Sequence, residues 1–128
     1  MAGGLGADAP HLPTPAPIDA YGNGGFRFAG MSHRGSVLCL PDGIWAWPVT
    51  AVSDLNDDVF RPVLERGGAL DLFLIGGGRD PFALREDLRR LFRDAGISVD
   101  CLATGPAAQT YNILLAEGRR VGAGLIAV

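Results

Sequence analysis

The sequence contains no lysine, because all eleven of its basic residues are arginines. A chain without lysine can form no Schiff base with a carbonyl substrate, and it has no phosphate-loop lysine for a nucleotide. The formal net charge of −3 argues against nucleic acid as a partner, since a dedicated nucleic-acid-binding protein normally has a basic face. No apolar run approaches the ~20 residues that a membrane span needs, so we expect no membrane span.

Cysteine and histidine are also scarce. Cys39 and Cys101 are far apart in sequence and form no CxxC pair, so we expect two buried, reduced thiols and a cytoplasmic location. His33 is the only histidine outside the N-terminal tail, and the scattered acidic residues add no metal-ligand spacing to it. The sequence also lacks a Gly-x-Ser-x-Gly elbow. We therefore expect no metal, no cofactor and no catalytic residue, and we favour a protein that is not an enzyme.

The N-terminal half of the chain is predicted to be rich in β-structure. Residues 1–17 are a Gly/Ala/Pro segment with few large apolar groups, which predicts a disordered tail before a single domain at 18–128. Asn23-Gly24 predicts a tight hairpin, and Pro41-Asp42-Gly43 predicts a turn between strands at 36–40 and 44–49.

A short helix is predicted at 54–66. Asn56 is its expected cap, and Pro62 should kink or restart it.

From residue 69 onward, the pattern alternates between strand and helix. Apolar runs at 70–75, 98–102 and 121–128 predict three strands. Asp80 with Pro81 predicts the start of the first intervening helix, and Pro106 predicts the start of the second. Two successive strand-helix-strand units favour parallel pairing. We therefore expect a single compact three-layer α/β domain, with a β-rich N-terminal half, a β-α-β-α-β C-terminal half and a mixed, partly parallel central sheet.

Two loops, at 76–81 and 103–106, should lie side by side at one edge of that sheet, where open α/β folds usually bind a ligand. The free N–H groups of the second helix start could hold a carboxylate or phosphate together with a nearby arginine, or the start could simply be capped by its own threonine or by water. The candidate cleft comprises Gly76, Gly77, Gly78, Arg79, Thr104, Gly105, Gln109, Thr110 and Asn112.

The first loop also resembles the beginning of a dinucleotide-binding fingerprint. Gly76-x-Gly78 matches its first two glycines, and Asp100 lies roughly where a ribose-binding acid would. The third small residue is missing, because Pro81 occupies its position. We therefore favour a simple tight strand-to-helix turn over a dinucleotide site.

An ordered set of motifs gives the chain a family resemblance. It consists of Tyr21-Gly22-x-Gly24-Gly25-Phe26, Gly35-Ser36-Val37-Leu38, Leu74-Ile75-Gly76-x-Gly78 and, as its most specific part, Thr104-Gly105-x-Ala107-Ala108-x-Thr110-Tyr111-Asn112. Over about residues 18–128 the chain resembles a small family catalogued as domain of unknown function number 498. The resemblance implies a compact three-layer α/β fold. Its mitochondrial members are assembly factors of respiratory complex I, which implies a chaperone-like role.

The chain departs from the family pattern at two positions near the proposed cleft. Gly77 lies where the family usually has threonine, and Gln109 lies where it usually has arginine. The second departure removes a cation from the cleft and so weakens anion binding there.

Two hypotheses for the function follow. The first is an uncharacterised bacterial assembly or scaffold factor, with respiratory complex subunits or assembly factors as partners, which predicts an exposed apolar or mixed patch. The second is a binding module or unassigned enzyme for a small anionic metabolite in the cleft between the two loops. A deep, polar-lined pocket would favour the second hypothesis, and a shallow or filled one would favour the first.

Overall fold

Among residues 10–128, which the computed structural model describes, eight strands form two sheets. The smaller sheet is antiparallel and has the order β1-β2-β3, and the larger has the order β5-β4-β8-β6-β7. The strands are β1 (Ala20–Gly22), β2 (Gly25–Phe28), β3 (Met31–Arg34), β4 (Val37–Leu40), β5 (Gly43–Ala46), β6 (Leu72–Gly76), β7 (Ser98–Leu102) and β8 (Val121–Leu125). Strand β8 pairs parallel to β6 and antiparallel to β4, so the central sheet is mixed, as predicted.

Three helices and the small sheet cover the two faces of the large sheet. The helices are α1 (Asp57–Leu64), α2 (Glu86–Asp94) and α3 (Thr104–Ala116). Buried residues of α1 and α2 pack against one face of the sheet, and those of α3 and β2 pack against the other. The predicted three-layer α/β architecture is therefore confirmed.

Strands β4 and β6 are buried on both faces, as expected for the middle of a three-layer fold. Leu38 and Phe73 point into the core beneath α1 and α2. Their chain neighbours Cys39 and Leu74 point into the core beneath α3. This alternation explains why these strands are recognisable as continuous apolar runs.

Two tight turns build the small sheet. Asn23 and Gly24 have φ angles of 53° and 78°, which are the conformations of the predicted two-residue hairpin. Ala29 and Gly30 repeat the arrangement at 50° and 75° and lead into β3. Strand β3 was not predicted, because its residues are only half-buried or exposed and show no apolar run.

Helix α1 has the predicted cap, since the Asn56 side chain accepts a hydrogen bond from the Val59 N–H at 3.0 Å. The predicted kink or restart at Pro62 is wrong, because the helix continues through this residue to Leu64. Pro62 is buried with its neighbour Val63. Burial of this side of α1 offsets the hydrogen bond that proline cannot donate.

The prediction that Asp80 and Pro81 begin α2 is also wrong. The helix begins at Glu86, and its cap position is Arg85, which forms no side-chain cap hydrogen bond. Phe82 and Leu84 instead belong to an ordered loop packed on the core. The end was predicted correctly, because Gly96 adopts a positive φ of 74° just beyond the helix.

Contacts of the N-terminal segment begin before residue 18, the predicted domain boundary. The His11 N–H donates to the Ile44 carbonyl at 2.9 Å, and the Ile44 N–H donates to the Leu12 carbonyl at 2.9 Å. The Tyr111 hydroxyl donates to the Ala16 carbonyl at 3.2 Å. The disorder predicted for residues 1–9 lies outside the described residues.

Candidate functional site

The two loops of the predicted cleft do meet at one edge of the central sheet. Strands β6 and β7 are parallel neighbours, with Gly76 opposite Leu102 at the end of the pairing. The Gly77 N–H continues this pairing beyond the strands by donating to the Leu102 carbonyl at 2.8 Å. The relative position of the loops was therefore predictable from the order of strands and helices.

Thr104 joins the two loops and is fully buried. Its hydroxyl accepts a hydrogen bond from the Gly78 N–H at 3.0 Å and donates one to the Ile126 carbonyl at 2.7 Å. Its own N–H donates to the Gly78 carbonyl at 2.8 Å. The hydroxyl is thus engaged with the protein itself, and the first N–H of α3 is already used.

Helix α3 begins two residues before Pro106, so the predicted start at this proline is wrong. Ala103 is the cap position and Thr104 the first helical residue. Proline is tolerated here because the first four N–H groups of a helix have no partner within the helix. Pro106 therefore marks the first turn of α3 and not its first residue. The predicted end was correct, with Gly118 at a φ of 74°.

Close packing fills the floor between the loops. A side chain at Gly76 would meet the Thr104 Cα at 2.8 Å, and one at Gly77 would clash with the Phe82 ring. Arg79, by contrast, is exposed at the tip of the first loop. It forms no ion pair with any residue in the described part of the chain.

The three polar residues of α3 have different surroundings. The Asn112 amide accepts from the Ile18 N–H and donates to the Ile18 carbonyl, both at 2.8 Å, so it holds the segment that leads into β1. Gln109 is exposed, and it lines a depression together with Asn112, which confirms that these two share a face of the helix. Thr110 is half-buried.

An open depression of about 400 Å³ lies beside the loops, and its lining includes Gly78, Arg79, Gly105 and Pro106. The Tyr21 ring forms one of its walls and covers Gly105 so closely that a side chain there would clash with the Tyr21 hydroxyl. The depression therefore lies outside the stapled loops and not between them. Of the predicted cleft residues, it gathers Gly78, Arg79 and Gly105 but neither Gln109 nor Asn112.

Tyr21 and Ile113 are the large hydrophobic side chains that are exposed within the described residues, at 46% and 59%. Ile113 lies four residues after Gln109 and seven after Pro106, so the three share one face of α3. Gln109 in turn lines a depression with Tyr21. We call this continuous area, made of Tyr21, Pro106, Gln109 and Ile113, the Tyr21 surface.

The Tyr21 surface was not among the sites predicted from the sequence, although α3 carries a signal for it. None of the thirteen residues of α3 is charged. Helices α1 and α2 carry acidic and basic residues along their exposed sides. A helix on the outside of a domain normally has a charged or polar outer face, so the absence of charge in 104–116 marks an unusual surface.

The remaining titratable groups form no second site within the described residues. Burial raises the pKa of the Cys39 thiol to about 12, and Cys101 is half-buried; neither cysteine forms a disulfide. Ser36, near His33 in sequence, donates to the Val49 carbonyl and accepts from the Ala127 N–H, which occupies its hydroxyl. No group of three His, Cys, Asp or Glu side chains that could hold a metal ion occurs between residues 10 and 128.

The helices are short relative to the thickness of a bilayer. None of those within residues 10–128 is long and apolar enough to cross a membrane.

Comparisons with known proteins identify relatives of the whole domain. The family model described as protein of unknown function DUF498/DUF598 matches residues 18–126. An uncharacterized protein of Rhodobacter capsulatus is 39% identical over 110 residues, which cover 86% of this chain and 83% of that protein. The human protein named NADH dehydrogenase (ubiquinone) 1 alpha subcomplex assembly factor 3 is 30% identical over 109 residues, covering 85% of this chain and 59% of the human one. The chain thus spans about three fifths of the length of that assembly factor.

A solved structure with the same fold comes from Bartonella henselae, where it is described as an outer membrane protein. It is 50% identical to this chain and has a TM-score of 0.87 over 92% of this chain and 99% of that one. A protein of Rhodopseudomonas palustris, solved by NMR, is 45% identical and has a TM-score of 0.82 over 95% of this chain and 90% of that one.

Proposed function

The chain belongs to the family of proteins of unknown function DUF498/DUF598, and from this premise we propose that it is a cytoplasmic, non-enzymatic factor that binds another protein during assembly of a larger complex. The observation that carries the proposal is the Tyr21 surface. Its two large apolar side chains are exposed next to a helix without charge. Exposed apolar area rimmed by polar groups is typical of protein-binding sites.

The composition of the Tyr21 surface supports a protein partner. Protein interfaces are depleted of charge in their centre and enriched in tyrosine. Tyrosine is also among the residues that contribute most binding energy when a partner covers it. The tyrosine here is held in place, because its ring packs on Gly105 at the start of α3. Its ordering therefore costs little entropy when a partner binds.

The curated relatives suggest which complex is involved. Several are named as assembly factors of NADH dehydrogenase, and proteins with that name serve a multi-subunit respiratory enzyme. We propose that the partner of this chain is a respiratory complex subunit or another assembly factor. The chain corresponds to only part of those relatives, so this assignment concerns the shared domain.

Affinity purification from a lysate of the source bacterium tests the proposal. Three tagged forms are compared: the wild type, a Tyr21→Ser/Ile113→Ser variant, and an Asp58→Ser/Arg61→Ser control in which an exposed ion pair on α1 is removed. We expect a respiratory subunit or assembly factor to copurify with the wild type and the control. Its recovery with the first variant should fall about tenfold or more. Equal recovery with all three forms, or no such partner with the wild type, would contradict the proposal.

A second candidate function is binding of a small anion at the depression beside the loops. The observation in its favour is Arg79, which faces this depression and has no acidic partner within residues 10–128. A thermal-shift screen with phosphate and simple carboxylates tests this candidate. A ligand at 100 times its Kd should add roughly 2.7 kcal/mol to the free energy of unfolding, and Arg79→Ala should abolish that gain. The absence of any shift would remove this candidate.

A further inference from the structure

The arginines of the chain differ in whether an acidic group neutralises them. Six lie within 4 Å of a carboxylate oxygen. They are Arg61, Arg66, Arg85, Arg93, Arg119 and Arg120. The other five form no ion pair in the described part of the chain. Arg89 and Arg90 belong to α2, while Arg27, Arg34 and Arg79 lie around Tyr21.

Arg27 and Arg34 extend from the outer face of the small sheet. Arg27 lies between the buried Phe26 and Phe28 on β2, so its side chain points away from the core. The pairing of β2 with β3 places Arg27 opposite Ser32 and Gly25 opposite Arg34. The two arginines are therefore diagonal neighbours on one face, roughly 7–8 Å apart at their Cα atoms. One partner segment can contact both.

A depression of about 410 Å³ runs between these two arginines and Tyr21. Gly22 and Gly25 line it and contribute no side chains, which leaves room for a side chain or backbone from a partner. Arg79 lies in the neighbouring depression, on another side of the same tyrosine. Tyr21 is thus flanked by three cations. The nearby acidic residue is Asp19, which lines the depression on the α3 side.

We propose that the Tyr21 surface binds an acidic segment of a partner protein, whose carboxylates contact Arg27, Arg34 and Arg79 while one of its apolar side chains packs against Tyr21. The proposal rests on the function proposed above and specifies the partner's chemistry. Arginine suits this role because its planar guanidinium binds a carboxylate in two parallel hydrogen bonds. A nucleic acid is disfavoured as the occupant, because the chain as a whole has a net charge of −3 and would repel a long polyanion.

Binding of designed peptides tests this inference directly. The probe is a fluorescein-labelled twelve-residue peptide of glutamates around a central Phe-Leu pair, and the matched peptide has every glutamate replaced by glutamine. Fluorescence anisotropy at low salt should show about tenfold tighter binding of the acidic peptide. The preference should shrink as salt screens the charges. Equal affinity for both peptides would overturn the inference.

Charge-reversal variants locate the effect on the protein. Arg27→Glu/Arg34→Glu should abolish the preference for the acidic peptide, whereas Arg27→Lys/Arg34→Lys should retain part of it. The matched control is Arg89→Glu/Arg90→Glu, which reverses two arginines on the opposite face of the domain that also lack an ion pair within the described residues. None of the four substituted side chains is buried, so unfolding temperatures should change little. An equal loss of preference in the control would overturn the inference.

The two proposals fail in distinguishable ways. A native partner that is lost with Tyr21→Ser/Ile113→Ser but retained with Arg27→Glu/Arg34→Glu would overturn the acidic-segment inference and leave the protein-binding function supported. A native partner that is retained with every one of these variants would contradict both.

Discussion

Thr104 shows how a single residue can connect three separate stretches of the chain. Its backbone and hydroxyl form hydrogen bonds with Gly78, in the loop after β6, and with Ile126, just after β8. In the sequence, this threonine is a candidate ligand-binding residue. Its position next to a conspicuous glycine loop was predictable. Its burial was not, because that depends on Ile126, more than twenty residues away.

Substitution of Thr104 by valine should destabilise the fold. Valine has nearly the same shape but leaves the Gly78 N–H and the Ile126 carbonyl without their partner. An unpaired buried polar group costs about 1–3 kcal/mol, so chemical denaturation should show a free energy of unfolding lower by at least that amount. Thr110→Val, at a half-buried position of the same helix, is the control and should change stability by less than about 0.5 kcal/mol. Equal effects of the two substitutions would contradict the role assigned to Thr104.

His33 should make the stability depend on pH. Burial, chiefly, lowers the pKa of this imidazole from its ordinary value of 6.5, and the nearby His11 contributes in the same direction. The folded state therefore favours the neutral ring. Its stabilising contribution is complete above pH 6.5 and is lost as the pH falls below that value.

Urea denaturation between pH 7.5 and 5 measures this effect. The free energy of unfolding of the wild type should decrease over this interval, and His33→Gln should flatten the curve. The carboxyl groups whose pKa values are lowered by arginine or backbone partners, such as Asp42 and Asp71, titrate below this range. A slope that His33→Gln leaves unchanged would assign the pH dependence to another group.

At the level of secondary structure, the alternating half of the chain was the more predictable. Strand β7 was predicted with its observed bounds, and β6 and β8 were predicted at nearly the right positions. These strands are buried on both faces or flanked by helices, so their apolar runs dominate the pattern. Helix starts were less predictable. Asp80 and Pro81 have the local features of a helix start, but packing of Phe82 on Gly77 keeps 77–85 as a loop.

Gly124 in β8 illustrates why an element depends on its neighbours. A side chain here would lie 2.6 Å from the Trp47 ring, and Trp47 also donates a hydrogen bond to the Val59 carbonyl of α1. Gly124→Ala should therefore shift the tryptophan and lower the free energy of unfolding by about 1–3 kcal/mol. The control, Gly68→Ala, adds a methyl group where nothing lies within 4 Å.

Trp47 fluorescence during thermal unfolding gives the measurement for these two variants. The predicted result is a lower unfolding midpoint and an altered native emission spectrum for Gly124→Ala only. A native spectrum identical to that of the wild type, with unchanged stability, would show that the sheet accommodates the methyl group without moving Trp47.

At the level of the whole molecule, the fold could be predicted from the sequence and the candidate surface could not. The order of strands and helices placed the two loops at one sheet edge, and this was correct. The Tyr21 surface combines β1 with α3, which are joined only in the folded domain. Tyr21 could not be recognised as exposed from its position in a short strand. Its exposure is decided by how the small sheet packs against α3.

The most direct test of the central claim is photo-cross-linking in cells of the source bacterium. A p-benzoylphenylalanine side chain is introduced in turn at Tyr21, at Ile113 and at the exposed Arg90 on the opposite face. If the Tyr21 surface binds a partner protein, irradiation should give the same protein adduct from positions 21 and 113 and not from position 90. The absence of an adduct at positions 21 and 113, or equal adducts from all three positions, would contradict the account.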